Sequence, residues 1–237
     1  MNLTVIIPNQ RKALFLAKKQ LSELVYDAVN LEGIKYTLPE VQTLLDGVTV
    51  GGHRQIDALI TQNQIEAWRF LFKVIEDKSF DLSAEFVCQL QEKVVKRETL
   101  TWGEFRESGV SIAGTNYLPP NHKELPNLWQ KLKQKSMPND IDGIYQYAIS
   151  LFLQMARIQF FYDSNKRTGR LIMNGILLKN GLPVINLPVS KQLEFNQLML
   201  DFYSSNNEVP MQALMVSCLG AKYLKIMAET NARSFNT

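Results

Sequence analysis

A short polar segment between two strongly apolar stretches constrains this chain more than any other feature. Before the segment, apolar residues recur at helical spacing from Ile144 to Ile158, and after it residues 171–178 are apolar almost all round. These patterns predict two buried helices. Gly181 is placed to end the second helix as a left-handed cap. The joint between the helices, residues 159–170, reads Gln-Phe-Phe-Tyr-Asp-Ser-Asn-Lys-Arg-Thr-Gly-Arg.

This joint carries a carboxylate, two amides and three cations, which a hydrophobic core does not need. A phosphate site does need them. Backbone N–H groups at the start of a helix attract anions, and arginines just inside the helix can grip outer phosphates. The joint therefore predicts a phosphate-binding helix start.

The same joint resembles the signature of the Fic family, His-x-Phe-x-Asp/Glu-Gly-Asn-Gly/Lys-Arg-x-x-Arg. Six positions match it: Phe161, Asp163, Asn165, Lys166, Arg167 and Arg170. Two positions depart from it. Gln159 stands where the family has its catalytic histidine, and Ser164 stands where the family has glycine.

The resemblance implies a role for each part of the joint. Asp163 would hold Mg²⁺, a hard ion that prefers oxygen ligands. Phe161 would anchor the loop in the core. The implied reaction is transfer of AMP from ATP to a serine, threonine or tyrosine hydroxyl of a target protein. The residues expected to bind the phosphates are Ser164, Asn165, Lys166, Arg167 and Arg170.

Because of Gln159, the sequence is compatible with more than one function. A histidine titrates near neutrality and can take the hydroxyl proton, whereas an amide cannot. Losing a general base typically costs ~10²–10⁴-fold in rate. One hypothesis is a protein adenylyltransferase whose activity is reduced or lost. The alternatives are a catalytically inactive nucleotide-binding interaction module and a helical adaptor whose basic turn docks an acidic partner.

Residues 105–118 interrupt the helical pattern. Glycines and serines punctuate this stretch, and it closes on Pro119-Pro120, a pattern that predicts a short β-hairpin. The Fic resemblance implies that the hairpin is a flap whose edge pairs with the target peptide. The residues expected at that edge are Ser111, Ile112, Ala113 and Gly114.

A helix is predicted over about 12–33, and its last residues show a second resemblance to Fic proteins. Residues 28–33 are similar to the inhibitory Fic motif Ser/Thr-x-x-x-Glu-Gly/Asn, in which Glu32 and Gly33 match and Ala28 replaces the hydroxyl residue. The resemblance implies that Glu32 pairs with Arg170, so that ATP binds in an unproductive pose.

The remaining patterns predict an all-α bundle, the Fic fold, over a single domain of residues 1–237. Thr37 with a glutamate three residues later predicts a capping box. Further helices are predicted at about 56–75, 83–95, 124–136, 141–160, 166–180, 190–204 and 209–230.

Composition restricts partners and location. The net charge is only +3, and the densest basic run, residues 131–135, alternates with other residues, as expected of a solvated helix face rather than a nucleic-acid patch. Two cysteines and two histidines favour neither a disulfide framework nor a histidine-rich metal centre. No signal-peptide layout or membrane-length apolar run is present, so we expect a cytoplasmic protein without a membrane partner. A homodimer is left open.

Overall fold

The computed structural model describes residues 3–99 and 101–229. The chain is helical, and two single 3₁₀ turns precede α6 and α9. The helices are α1 (Gln10–Lys19), α2 (Leu21–Asn30), α3 (Leu38–Leu45), α4 (Gln55–Glu76), α5 (Ala84–Val95), α6 (Leu125–Lys133), α7 (Ile141–Ile158), α8 (Asn165–Lys179), α9 (Gln192–Ser205), α10 (Val209–Ser217) and α11 (Ala221–Ala228).

The two helices that flank the polar joint form the centre of the fold. Nearly every residue of α8 is buried, and α7 packs against it more extensively than any other helix does. Gly169 allows this close approach, since a Cβ there would lie 3.2 Å from the carbonyl oxygen of Phe152. Gly181 has φ +71°, which confirms the predicted left-handed cap. The buried apolar side chains form one continuous cluster around this pair.

The N-terminal pattern predicted one helix over about 12–33, and the structure divides it into α1 and α2. The break lies at Gln20, where φ is −93° and ψ is 1°. The Gln20 amide Nε2 donates to the carbonyl oxygen of Leu16 at 3.2 Å, so the side chain helps to close the last turn of α1. The capping box at Thr37 is confirmed, with reciprocal bonds to Glu40. The predicted 209–230 helix is likewise divided, at Gly220, and residue 230 lies outside the described residues.

The predicted hairpin is wrong as a strand pair. Residues 101–121 contain no strand; they form an irregular segment with one turn at Ala113–Gly114, where Gly114 has φ +82°. A two-stranded hairpin without a third strand is marginal in water. Here the carbonyl oxygens of Ser108 and Pro120 are instead bonded by the Arg106 side chain, each at 2.6 Å. A side-chain anchor therefore replaces the strand ladder.

Within the described part of the chain, no helix combines the length and hydropathy that crossing a membrane requires.

Candidate active site

The loop between α7 and α8 is fixed by two left-handed residues. Gln159, the C-cap of α7, has φ +55°, and Ser164, the N-cap of α8, has φ +62°. A left-handed L-residue costs roughly 1–2 kcal/mol, which glycine does not pay. The conformation of Ser164 thus explains why the Fic signature has glycine at this position. The serine hydroxyl gains contacts that glycine lacks, since it accepts a hydrogen bond from Arg167.

Asn165 holds the loop closed from inside. Its Nδ2 donates to Gln159 Oε1 at 3.0 Å and to the carbonyl oxygen of Phe161 at 2.8 Å. Its Oδ1 accepts from the Phe161 backbone N–H at 2.9 Å. The Gln159 amide is fixed at its other end, because Nε2 donates to the carbonyl oxygen of Ala156 at 2.6 Å. The position of the family's catalytic histidine is therefore rigidly held.

The N-terminus of α8 presents donors without a capping side chain. The Ser164 side chain makes no capping bond, so the first N–H groups of this 15-residue helix have no partner within it. Asp163 is exposed beside them, with its Oδ1 accepting from the Ser164 N–H. Lys166 is half-buried in the first turn. Helix donors and positive charge together are suited to binding an anion.

Asp163 fits the way in which proteins usually hold Mg²⁺. Among residues 3–99 and 101–229 there is no cluster of three or more histidine, cysteine, aspartate or glutamate side chains that could hold a metal alone. Mg²⁺ needs no such cluster, since it commonly binds one or two carboxylates and completes its shell with water and substrate phosphates. One exposed carboxylate next to a helix N-terminus that is suited to phosphate fits that pattern.

Arg170 meets Glu32, as the inhibitory resemblance implies. The distance between Arg170 Nη2 and Glu32 Oε1 is 3.6 Å, an ion pair that is too long for a hydrogen bond. Arg170 Nη2 has no hydrogen-bond partner although it is buried. Burial lowers the pKa of Arg170, and the charge of Glu32 opposes that shift. The guanidinium is incompletely satisfied, and a ligand oxygen would improve its environment.

Two residues ahead of Glu32, Asp27 and Leu31, attach its turn to the segment that follows α8. Asp27 accepts from Asn186 Nδ2 at 2.5 Å and from the Val189 N–H at 2.9 Å. Burial raises the pKa of Asp27, while these hydrogen bonds lower it. Gln192 Nε2 donates to the carbonyl oxygen of Leu31 at 3.0 Å. The position of Glu32 is thus set by the segment that follows α8.

Sequence reasoning missed the partner of Arg167. Arg167 Nη2 lies 2.7 Å from Glu98 Oε2, and Nη1 contacts Glu98 Oε1 at 3.3 Å. Both side chains are buried, 6% and 4% exposed. Asn63 Nδ2 also donates to Glu98 Oε1, at 2.8 Å. The pair ties α8 to the end of α5. No sequence spacing marks Glu98; the only signal is that a buried arginine requires a carboxylate.

Arg106 is the second residue that sequence reasoning missed. It is 2% exposed and donates from Nε to the carbonyl oxygen of Gln159 at 2.6 Å, in addition to its bonds to Ser108 and Pro120. Its backbone N–H donates to the carbonyl oxygen of Phe160 at 2.9 Å. One side chain thus fastens both ends of the predicted flap to the signature loop. Within the flap, Ser111, Ala113 and Gly114 are exposed and Ile112 is half-buried.

Arg106→Ala is expected to release the 105–118 segment while the helices remain. Each hydrogen bond to a charged group contributes ~1.5–3 kcal/mol, so we expect a loss of at least ~2 kcal/mol in unfolding free energy. Limited proteolysis should cut the variant within 105–118 much faster than the wild type. Arg106→Lys keeps the charge but not the fork of donors, and should be intermediate. Equal cleavage rates in all three proteins would show that Arg106 does not hold the segment.

Comparison with known proteins identifies the signature-bearing region. Residues 81–177, which include Glu98, Arg106 and the joint, match the model of the Fic/DOC family. The matched region covers about two fifths of the chain. Glu32 lies outside the matched Fic region, although it contacts Arg170 within it.

Among curated Fic proteins, the chain is similar to "Protein adenylyltransferase Fic" of Drosophila erecta, with 25% identity over 196 residues, which is 80% of this chain and 39% of the relative. The Drosophila melanogaster protein of the same name is 25% identical over 77% of this chain and 38% of its own length. The chain therefore spans about two fifths of the length of these relatives.

Solved Fic structures share the fold. A Fic-domain-containing signaling protein from Bacteroides thetaiotaomicron superposes with a TM-score of 0.76 at 20% identity, over 95% of this chain and 91% of that one. Fic-1 from C. elegans gives 0.72 at 17% identity, over 92% of this chain and 70% of that one. At these identities the likeness shows the fold alone.

Proposed function

We propose that this Fic protein binds ATP with Mg²⁺ at the N-terminus of α8 and transfers AMP to a hydroxyl of a target protein, at a low rate that Glu32 restrains. The observation that carries the proposal is the uncapped start of α8, held beside Asp163 and within reach of the under-satisfied Arg170. The Drosophila relatives named as protein adenylyltransferases support the choice of reaction.

The proposed reaction needs positioning and charge stabilisation more than covalent chemistry by the protein. The target oxygen attacks the α-phosphorus of ATP, the bond to the β-phosphate oxygen breaks, and pyrophosphate leaves. The N–H groups of Asn165 and Lys166 would bind phosphate oxygens, and Arg170 would neutralise charge on the outer phosphates. Asp163 would hold the Mg²⁺, whose charge neutralises phosphate oxygens when it is bound.

Arg167 contributes differently in this proposal. Both of its Nη atoms are taken by Glu98 and by the carbonyl oxygen of Val94, whereas Nε has no partner. We propose that Arg167 holds the start of α8 in place and contributes to phosphate binding through Nε and its positive charge. Arg170 is then the principal phosphate arginine.

The Gln159 position offers no base for the proton of the attacking hydroxyl. Gln159 cannot accept it, and the amide is already bonded at both ends, to Ala156 and to Asn165. The second Nε2 hydrogen and the remaining Oε1 lone pair can orient a hydroxyl but not activate it. We therefore expect AMP transfer to be ~10²–10⁴-fold slower here than at a site that carries histidine.

The fixed Gln159 amide also favours a second candidate function. A catalytically inactive module would bind nucleotide at α8 and use the exposed 111–114 turn to contact a partner protein. Binding without transfer distinguishes this module from the enzyme.

We further propose a cytoplasmic location, for which the small number of cysteines is the support.

Labelled ATP tests the proposal. We expect the Glu32→Gly protein, incubated with a cell lysate and Mg²⁺, to place label on protein from ATP labelled at the α-phosphate and not from ATP labelled at the γ-phosphate. Asp163→Ala in the same background should abolish the signal. Label from the γ-phosphate would indicate a kinase instead. ATP binding without any label on protein would favour the inactive module.

A further inference from the structure

Two cavities adjoin at the C-terminal end of α8, away from the signature loop. Their volumes are about 370 Å³ and about 220 Å³, and Phe80 and Lys179 line both. From position 165 to position 179 the helix rises about 21 Å, so these cavities are separate from the nucleotide site. We call the two together the lysine groove. Its charged residues are Lys78, Lys133, Lys135, Lys179 and Asp81.

The lysine groove has an uncompensated positive charge. Four lysines face one carboxylate, and none of the four is in a salt bridge with a described carboxylate. Lys179 Nζ donates to the carbonyl oxygen of Phe80 at 3.2 Å, and Asp81 Oδ1 accepts from the Ser83 N–H at 2.6 Å. Lys133 and Lys135 belong to the basic run that the sequence assigned to a solvated face. In the structure they line a concave site, which a polyanion would complement.

The floor of the lysine groove is apolar. Phe80 and Ile176 are buried beneath it, and Leu82 and Tyr147 are half-buried at its wall. Burial raises the pKa of Tyr147 further above neutral pH, which is consistent with an apolar surrounding. Lysine-lined pockets that bind only phosphate do not need such a floor. Its presence favours a ligand with apolar groups between its negative charges.

The distribution of the lysines favours an extended chain over a compact ligand. Lys78 lines only the smaller cavity, Lys133 and Lys135 line only the larger one, and Lys179 lines both. Positive charge is therefore present in both cavities, and so are apolar side chains. An extended peptide places successive side chains on alternate sides, so one face can present carboxylates and the other apolar groups.

We propose that the lysine groove binds an extended acidic peptide segment of a partner protein, with leucine-like side chains between its carboxylates. The site is independent of the nucleotide site, and its occupation requires neither ATP nor the signature residues. It gives this Fic domain a way to hold a partner at the opposite end of α8 from the site of transfer.

Fluorescence anisotropy with a labelled peptide in which glutamates alternate with leucines tests the proposal. We expect saturable binding that weakens steeply with salt. Lys133→Glu together with Lys135→Glu should weaken it roughly tenfold or more, because each reversal removes an attraction and adds a repulsion. The matched control is Lys35→Glu with Lys222→Glu, the same charge change at lysines outside the groove, and should change the affinity less than twofold.

Two peptide controls separate charge from apolar contact. Replacing the glutamates by glutamine should abolish binding, and replacing the leucines by serine should weaken it severalfold. A serine peptide that binds as tightly as the leucine peptide would overturn the proposal, since any polyanion would then suffice. RNA or ATP displacing the peptide as effectively as unlabelled peptide does would overturn it as well.

Chemical labelling provides a measurement without substitutions. Lysine acetylation, followed by mass spectrometry, should show Lys133 and Lys135 protected by the peptide and Lys35 unaffected. Protection that is equal at all three positions would place the peptide elsewhere and contradict the proposal.

Discussion

Gln159→His, combined with Glu32→Gly, is expected to transfer AMP to protein at least ~10²-fold faster than Glu32→Gly alone, the low end of the effect of a general base. The backbone allows the change, because histidine is among the residues that more readily adopt the φ of +55° found here. An imidazole would then lie beside an assembled phosphate site with Asp163 at its edge. Initial rates of self-labelling with α-labelled ATP measure the effect.

Two controls make this comparison decisive. Gln159→Ala with Glu32→Gly removes the amide without supplying a base, so it should be no faster than Glu32→Gly. Asp163→Ala added to the histidine variant should return the rate to background. If histidine brings no gain while ATP binding is intact, the site runs another reaction or none. A high rate in Glu32→Gly alone would show that Gln159 suffices.

Glu98→Ala is expected to lower the unfolding free energy by about 3–5 kcal/mol, because it leaves the buried Arg167 guanidinium without its counter-charge. The lost contacts are the 2.7 Å and 3.3 Å bonds to Arg167 and the bond from Asn63. Urea unfolding followed by circular dichroism gives the difference. At this chain length it corresponds to a fall in Tm of roughly 6–20 °C.

The exposed ion pair between Glu66 and Arg69 provides a matched control. Both of those side chains are about half exposed, and an exposed pair contributes at most ~1 kcal/mol, so Glu66→Ala should have a small effect. Replacing Glu98 by leucine and Arg167 by methionine together should cost much less than Glu98→Ala, since no buried charge is left. Equal losses for Glu98→Ala and Glu66→Ala would show that the buried pair is not a structural tie.

The sequence predicts those parts of the fold that rest on local periodicity and caps. The buried pair α7 and α8, the left-handed Gly181 and the capping box at Thr37 all follow from residues close together in the chain. The proximity of Glu32 and Arg170 is a longer-range success, and it came from the family resemblance rather than from periodicity. Their functional coupling stays a prediction.

The unpredicted features depend on contacts between residues distant in sequence. Glu98 and Arg167 are separated by 69 positions, and Arg106 reaches Gln159 over 53. The glycine and serine pattern of 105–118 is compatible with a hairpin, but two carbonyl oxygens that a strand ladder could use are bonded by the Arg106 guanidinium instead. The break at Gln20 could not be predicted from the sequence either, since helical spacing of apolar residues continues from α1 into α2.

In the proposed function, Glu32 withholds Arg170 from the outer phosphates of ATP. If Glu32 is removed, the arginine can bind the γ-phosphate, which ADP lacks. Charge-assisted hydrogen bonds contribute ~1.5–3 kcal/mol, so the preference for ATP over ADP should rise by roughly tenfold or more. Removing Arg170 in addition should abolish that gain.

Isothermal titration calorimetry of Mg·ATP and Mg·ADP against the wild type, Glu32→Gly and Glu32→Gly with Arg170→Ala tests this claim most directly. The wild type should discriminate poorly between the two nucleotides, Glu32→Gly should prefer ATP by roughly tenfold or more, and the double variant should lose that preference. The same ATP-to-ADP affinity ratio in wild type and Glu32→Gly, with both proteins folded, would contradict the account and make the contact between Glu32 and Arg170 structural only.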